Sequence, residues 1–159
     1  MSSRAAGTQA NRPLKIFTKL PPDSLLPFGI EGREALSELF HFQLDLLAEK
    51  GRAISFEELV GQEACVELTF PEGSVRFFHG ILIEFSEGAA DESFQHYRAL
   101  LAPAFWRLTK RFRFRIFQEK SVLDILKTVL AELEVRLQTE GTYRPRNFTV
   151  QYYETDFAF

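Results

Sequence analysis

The sequence predicts a mainly β fold with minor α, an antiparallel barrel followed by an amphipathic helix, and three observations lead to it. The first is the stretch Val75 to Phe85, preceded by a Pro71–Ser74 turn and an alternating run from Glu63 to Phe70. Two alternating runs joined by a Pro/Gly turn read as an antiparallel hairpin. The second is Phe40 to Ala48, where Phe40, Phe42, Leu44, Leu46 and Ala48 share one face opposite His41, Gln43, Asp45 and Glu49. That alternation is the signature of a half-buried strand. The third is an apolar fraction of 45% with 17 phenylalanines in 159 residues, enough for a packed core.

Taken in order, residues 1–12 are small and polar and are expected to be disordered. Leu14, Ile16 and Leu20 alternate with Lys15 and Lys19 in a first strand, which Pro21-Pro22-Asp23 ends. Leu25 to Glu31 is a second extended piece, and Arg33 to Leu39 reads as a short helical turn leading into the strand at Phe40. Ser55 and Glu58 have capping-box spacing, with Gly61 placed to close a helix of about one and a half turns.

In the hairpin, Ala64, Val66, Leu68 and Phe70 form the apolar side of the first run. The odd positions Val75, Phe77, Ile81, Ile83 and Phe85 are expected to do the same in the second, with Arg76 and Glu84 on the other face. Gly88 to Ser93 is a second turn, followed by a strand from Gln95 to Leu101 with Tyr97, Ala99 and Leu101 on one side. About five or six strands with short turns around one apolar side suggest a small barrel or half-barrel.

From Pro103 the texture changes. Phe105, Trp106 and Leu108 anchor a short helical or irregular connector, and then Arg111, Arg113 and Arg115 alternate with Phe112, Phe114 and Ile116. Ser121 opens a helix in which Val122, Ile125, Leu126, Val129, Leu130 and Leu133 follow helical spacing, and Asp124 completes a second capping box. A polar interval from Gln138 to Asn147 precedes a last strand, Phe148 to Tyr153. Thr155-Asp156 would open another helix, and the apolar Phe157-Ala158-Phe159 makes a poor natural terminus, so a fragment is expected.

Composition excludes several classes. A net charge of −3 argues against a nucleic-acid binder held by bulk charge. The one cysteine, Cys65, cannot form an internal disulfide and has no zinc-like spacing with histidine. It lies between Glu63 and Glu67, whose charges raise a thiol pKa, so it reads as inert. His41, His79 and His96 fall on three different strands and read as ordinary sheet histidines, His79 on the apolar face.

No secretory signal and no run of membrane-spanning length is present, and neither is any hydrolase, phosphate-loop, dinucleotide or zinc-protease motif. The sequence supports neither an enzyme nor a cofactor. The one charged feature with shape is the basic stripe Arg107, Lys110, Arg111, Arg113 and Arg115. It serves as an edge-strand guard or a subunit contact, with single-stranded nucleic-acid binding as the alternative.

Several segments together resemble one family. They are Gly32-x-Glu34-x-Leu36-Ser37-x-Leu39-Phe40-x-Phe42, Leu59-Val60-Gly61, Arg76-Phe77-Phe78-His79-Gly80-Ile81 and Tyr97-Arg98-Ala99-Leu100-Leu101-Ala102-Pro103. Trp106-Arg107-Leu108, Arg115-Ile116-Phe117-Gln118, Ser121-Val122-x-Asp124-Ile125-Leu126 and Gln151-Tyr152-x-Glu154-Thr155-Asp156-Phe157 continue the set. In order and spacing they resemble the N-terminal hub region of VgrG, the spike protein of type VI secretion, which is similar to the hub protein of contractile phage tails.

The resemblance implies a barrel of the tail-hub type over roughly residues 13–118, with 119–159 beginning the next subdomain. It further implies a non-enzymatic role. In the family, three subunits form a hub ring that caps the hexameric tube protein Hcp and helps deliver effectors. Partners would be other VgrG subunits and Hcp, with no nucleic acid and no membrane insertion. The protein would be made in the bacterial cytoplasm and exported by type VI secretion without a cleaved signal. Arg111 and Arg113 are the candidate subunit or tube contacts, in a connector more aromatic than the family pattern leads one to expect.

Overall fold

A computed structural model describes residues 7–159, and the chain divides into two units, Met1–Pro103 and Ala104–Phe159. The first holds β1 (Leu14–Phe17), β2 (Leu26–Arg33), β3 (His41–Glu49), β4 (Glu63–Thr69), β5 (Val75–Ala90) and β6 (Phe94–Ala102). They form one antiparallel sheet of order β1-β4-β5-β6-β3-β2. The two edge strands return into contact, so the sheet curls into a half-barrel. The mainly β expectation holds.

The core lies inside the curl. Leu44, Leu46, Val66 and Leu101 have no exposed surface, and Leu82, Ala99 and Ala48 are nearly as buried. Phe42 and Phe78 pack with ring centroids 4.6 Å apart, and Phe85 stacks on Tyr97 at 5.2 Å. On β3 the alternation is as read: Phe42, Leu44, Leu46 and Ala48 are buried and their neighbours are not.

On β5 the expectation is half wrong. Phe78 is buried while Val75 and Phe77 are exposed, and His79 points away from the core. The cause is a bulge. Leu82 pairs with Leu101 and Glu84 with Leu100, which leaves Ile83 as an extra residue and reverses the inward parity along the strand. Before the bulge the even positions face inward, matching Val66 opposite Phe78; after it Phe85 does. Gly80 sits where β5 crowds β6. A Cβ there would lie 2.3 Å from the Ala102 carbonyl oxygen, so only glycine fits.

Three further expectations differ. Residues 7–12 are ordered: Gln9 is buried, its Nε2 donates to Ile16 O at 3.0 Å, and its Oε1 accepts from Ile16 N at 2.9 Å. Composition suggested disorder, but the unpaired backbone of edge strand β1 holds this segment. Residues 1–6 of that expectation lie outside the described residues. Arg33 to Leu39 is no helix. β2 runs through Arg33, and the chain turns at Ser37, whose φ is 62°. The Ser55 cap is present, with Glu58 N donating to its Oγ at 3.3 Å, but only one turn forms before Gly61.

The second unit contains a 3-10 segment (Ala104–Lys110), β7 (Phe112–Lys120), α1 (Val122–Val129) and β8 (Arg146–Thr155). The resemblance implies a boundary after Gln118. In the structure β7 pairs with β8 in a separate two-stranded sheet, so this unit begins at Ala104. Ser121 and Asp124 form the expected capping box on α1. The helix stops at its C-cap Leu130, short of Leu133. Ile125 and Val129 pack on Phe117, with Leu130 and Phe159 alongside.

Candidate functional site

The expected contact residues lie on β7, and the alternation there runs opposite to expectation. α1 covers the face carrying Phe117, so Arg115 and Phe117 of β7 turn inward and the even positions outward. Arg115 points into the unit, where its Nη1 lies 3.2 Å from Asp156 Oδ1, a carboxylate with no exposed surface. Gln151, also fully buried, donates from Nε2 to the same Oδ1 at 2.9 Å. The Arg115–Asp156–Gln151 cluster therefore ties β7, β8 and the turn after β8 together. Thr155 caps that turn, accepting from Ala158 N at 3.0 Å.

Arg111 is paired with Glu132 and is largely covered. Arg113 is exposed and sits opposite Glu154 in the ladder. Lys110 lies over the Trp106 ring, 4.7 Å from its centroid. The stripe is thus not an open row of cations. Its members are largely committed inside the unit, and single-strand binding finds no support in it.

What faces outward instead is apolar. Phe114 stands opposite Tyr152 and Ile116 opposite Val150, with Phe148 beyond, and Phe114, Ile116, Phe148 and Tyr152 are each about two-thirds or more exposed. A bulge on β8 places Tyr153 at φ 47°, and its ring stacks on Phe114 at 5.4 Å. Sequence reasoning missed this face because Ile116 and Phe117 are adjacent apolar residues on opposite sides, and alternation alone cannot say which side is covered. The mark that could have found it was the second aromatic pair, Tyr152-Tyr153, on the strand that β7 meets.

Of the other singled-out residues, Cys65 and His79 are opposite each other and the rest are not brought together. His41, on β3, and His79, on β5, are both exposed, and His79 is level with Cys65 across the β4–β5 ladder. Cys65 is half-buried, and its thiol pKa is raised first by burial and then by Glu67. His96 Nε2 lies 3.2 Å from Asp91 Oδ2, and the Phe28 ring meets it edge-on. Asp91 also accepts from Ser93 N and Phe94 N, both at 2.7 Å, and these bonds hold its pKa down at about 2. Among the described residues no group of His, Cys, Asp and Glu could hold a metal ion. Among the described residues no helix is long and apolar enough to cross a membrane.

A curled antiparallel half-barrel followed by a helix-backed ribbon, with sheet surface turned outward, defines a hub-type assembly domain. The match to the family model of the phage tail baseplate hub (GPD) covers residues 33–159, and the chain belongs to that family. Among its relatives are the type VI secretion system spike proteins VgrG1a and VgrG1c of Pseudomonas aeruginosa, 38% identical over 154 residues and 36% over 155. The alignments cover 95% and 96% of this chain but 24% and 21% of those proteins, so the chain spans about a quarter of their length or less. The E. coli c3393 protein, described as a component of the type VI secretion system with structural similarity to the T4 tail proteins gp27 and gp5, has the same fold. Its TM-score is 0.73 at 24% identity, covering 91% of this chain and 40% of that one. The chain is a homologue of the VgrG spike proteins.

Proposed function

We propose that this chain is a structural hub segment of a type VI secretion spike, contributing to a trimeric ring that caps the hexameric tube protein Hcp and helps deliver effectors. The observation that carries the reading is the tail-hub half-barrel, matched to the hub family over residues 33–159. A ring built from repeated barrels is a geometric solution for joining a three-fold spike to a six-fold tube. The role is non-catalytic. Its buried ion pair and capping box organise backbone, and the likeness to VgrG1a and VgrG1c is to proteins named for the spike.

In this reading the protein is made in the bacterial cytoplasm and leaves with the spike, without a cleaved signal. Its partners are other VgrG subunits and the tube protein, with no nucleic acid among them. Arg113, the exposed member of the expected contact pair, is the tube-facing cation. Arg111 acts behind it by holding Glu132.

The test is association of the complete gene product with the tube protein of the same bacterium, measured by co-sedimentation with assembled tubes. Binding is expected, weakened at least severalfold by Arg113→Glu. Absence of any tube binding by the unaltered protein overturns the reading, and unchanged binding by the variant removes Arg113 from it.

A further inference from the structure

We propose that the second unit binds a structural water inside the Arg115–Asp156–Gln151 cluster, donating to Gln151 Oε1 and accepting from Arg115 Nη1. The site lies wholly within one unit, so it stands whether or not the chain caps a tube.

Donors and acceptors in this cluster do not balance. Gln151 has no exposed surface, and its amide carries two N–H donors and one oxygen acceptor. Both donors are spent, since Nε2 donates to Glu154 O at 3.2 Å and to Asp156 Oδ1 at 2.9 Å. Turning the amide over would set its oxygen against those same two oxygens, so the partners fix its orientation. Oε1 is left buried, and among the described residues nothing donates to it. Arg115 Nη1 is the opposite case. It lies 3.2 Å from Asp156 Oδ1 without the alignment of a hydrogen bond, while Nη2 donates to Oδ2 at 3.5 Å. Among the described residues these are the two buried side-chain atoms that lack a partner, and both fall in one cluster. Buried polar atoms in native proteins are paired, with protein or with ordered water.

The chemistry selects the occupant. An orphaned acceptor beside an orphaned donor requires a molecule that donates and accepts at once. A metal ion would face the Arg115 guanidinium, and an anion would face the Asp156 carboxylate and the Gln151 oxygen. The cluster already balances one guanidinium against one carboxylate, so a neutral occupant leaves no net charge buried. Water meets all of these conditions and is small enough for a packed interior. It also has an approach. Asp156 is the one acid in the wall of a cavity of about 350 Å³ that is otherwise lined mostly by apolar side chains, Leu108, Ile125 and Val129 among them. Bound there, the water completes the polar joint between β7, β8 and the turn after β8.

The experiment is a crystal structure of the 159-residue chain at a resolution that shows ordered water, grown with bromide in the buffer, together with oxygen-17 relaxation dispersion in solution. The crystal is expected to show a peak about 2.6–3.2 Å from both Gln151 Oε1 and Arg115 Nη1, with no anomalous signal from bromide. In solution Gln151→Met keeps the volume and removes the acceptor, and is expected to lower the number of long-lived waters by one. Hydrogen exchange at β8 amides confirms that the variant is folded. Leu36→Ser, at an exposed position of the first unit, is expected to leave the number unchanged. The crystallographic measurement needs no variant, so a Gln151→Met chain that fails to fold leaves the test intact.

A protein donor within hydrogen-bond distance of Gln151 Oε1, or no ordered density between it and Arg115, overturns the proposal. A bromide signal at that point overturns it equally, because the occupant would then be an anion. An unchanged number of long-lived waters in a folded Gln151→Met chain has the same force. Failure of tube binding would sink the preceding reading and leave this one standing.

Discussion

At the scale of single residues the informative pair is Phe77 and Phe78, adjacent and chemically identical but on opposite faces of β5, the first 58% exposed and the second 8%. Phe78→Ala removes a ring packed on Phe42 and should cost about 3–5 kcal/mol in denaturant unfolding. Phe77→Ala should cost less than about 1 kcal/mol. Equal losses would mean the register on this strand is wrong. Asp91 gives a second residue-level expectation, in pH. Its folded pKa, about 2, lies below the ordinary 3.8, so its contribution is complete above the unfolded value and is lost as pH falls from there toward 2. The thermal midpoints of the protein and of Asp91→Ala should therefore converge across that window and differ by a constant amount at neutral pH. The alternation of β3 was legible because no bulge interrupts it, whereas the reversal on β5 was not, because nothing local marks Ile83 as an extra residue.

At the scale of elements, the capping box of α1 and the turn at Pro71–Ser74 were readable because each is encoded within a few residues, whereas the helix expected at Thr155 is only a turn. The Arg115–Asp156–Gln151 cluster was not. It joins positions 41 residues apart in sequence, and Asp156 read as an ordinary acidic residue in the first turn of a helix. Removing one member of a buried pair leaves the other uncompensated, so Asp156→Ala should destabilise the second unit by about 3 kcal/mol. Hydrogen exchange at β8 amides checks this. Loss of protection there should exceed that in β3, and equal protection in the variant and the parent protein would show that the cluster does not hold the ribbon.

At the scale of the molecule, the order and spacing of weak motifs was enough to point to the hub family, while the division between units was not legible. β7 has the composition of one more barrel strand, and only its pairing with β8, across an intervening helix and loop, assigns it elsewhere. The segment 130–145 between them has no regular structure and is mostly exposed. Trypsin should cut first at Arg136, followed by mass spectrometry over time, and before any site between residues 41 and 102. Earlier cutting inside β3 to β6 would contradict the curled sheet as the most protected part of the chain.

The amide of Gln9 bears on how this protein can be handled. By bonding both polar groups of Ile16 it takes the place of a neighbouring strand, sealing one border of the sheet with a side chain. An affinity tag or fusion joined ahead of Gly7 leaves that seal in place. One that replaces the first dozen residues leaves a bare strand margin, and bare margins recruit other chains into fibrous deposits.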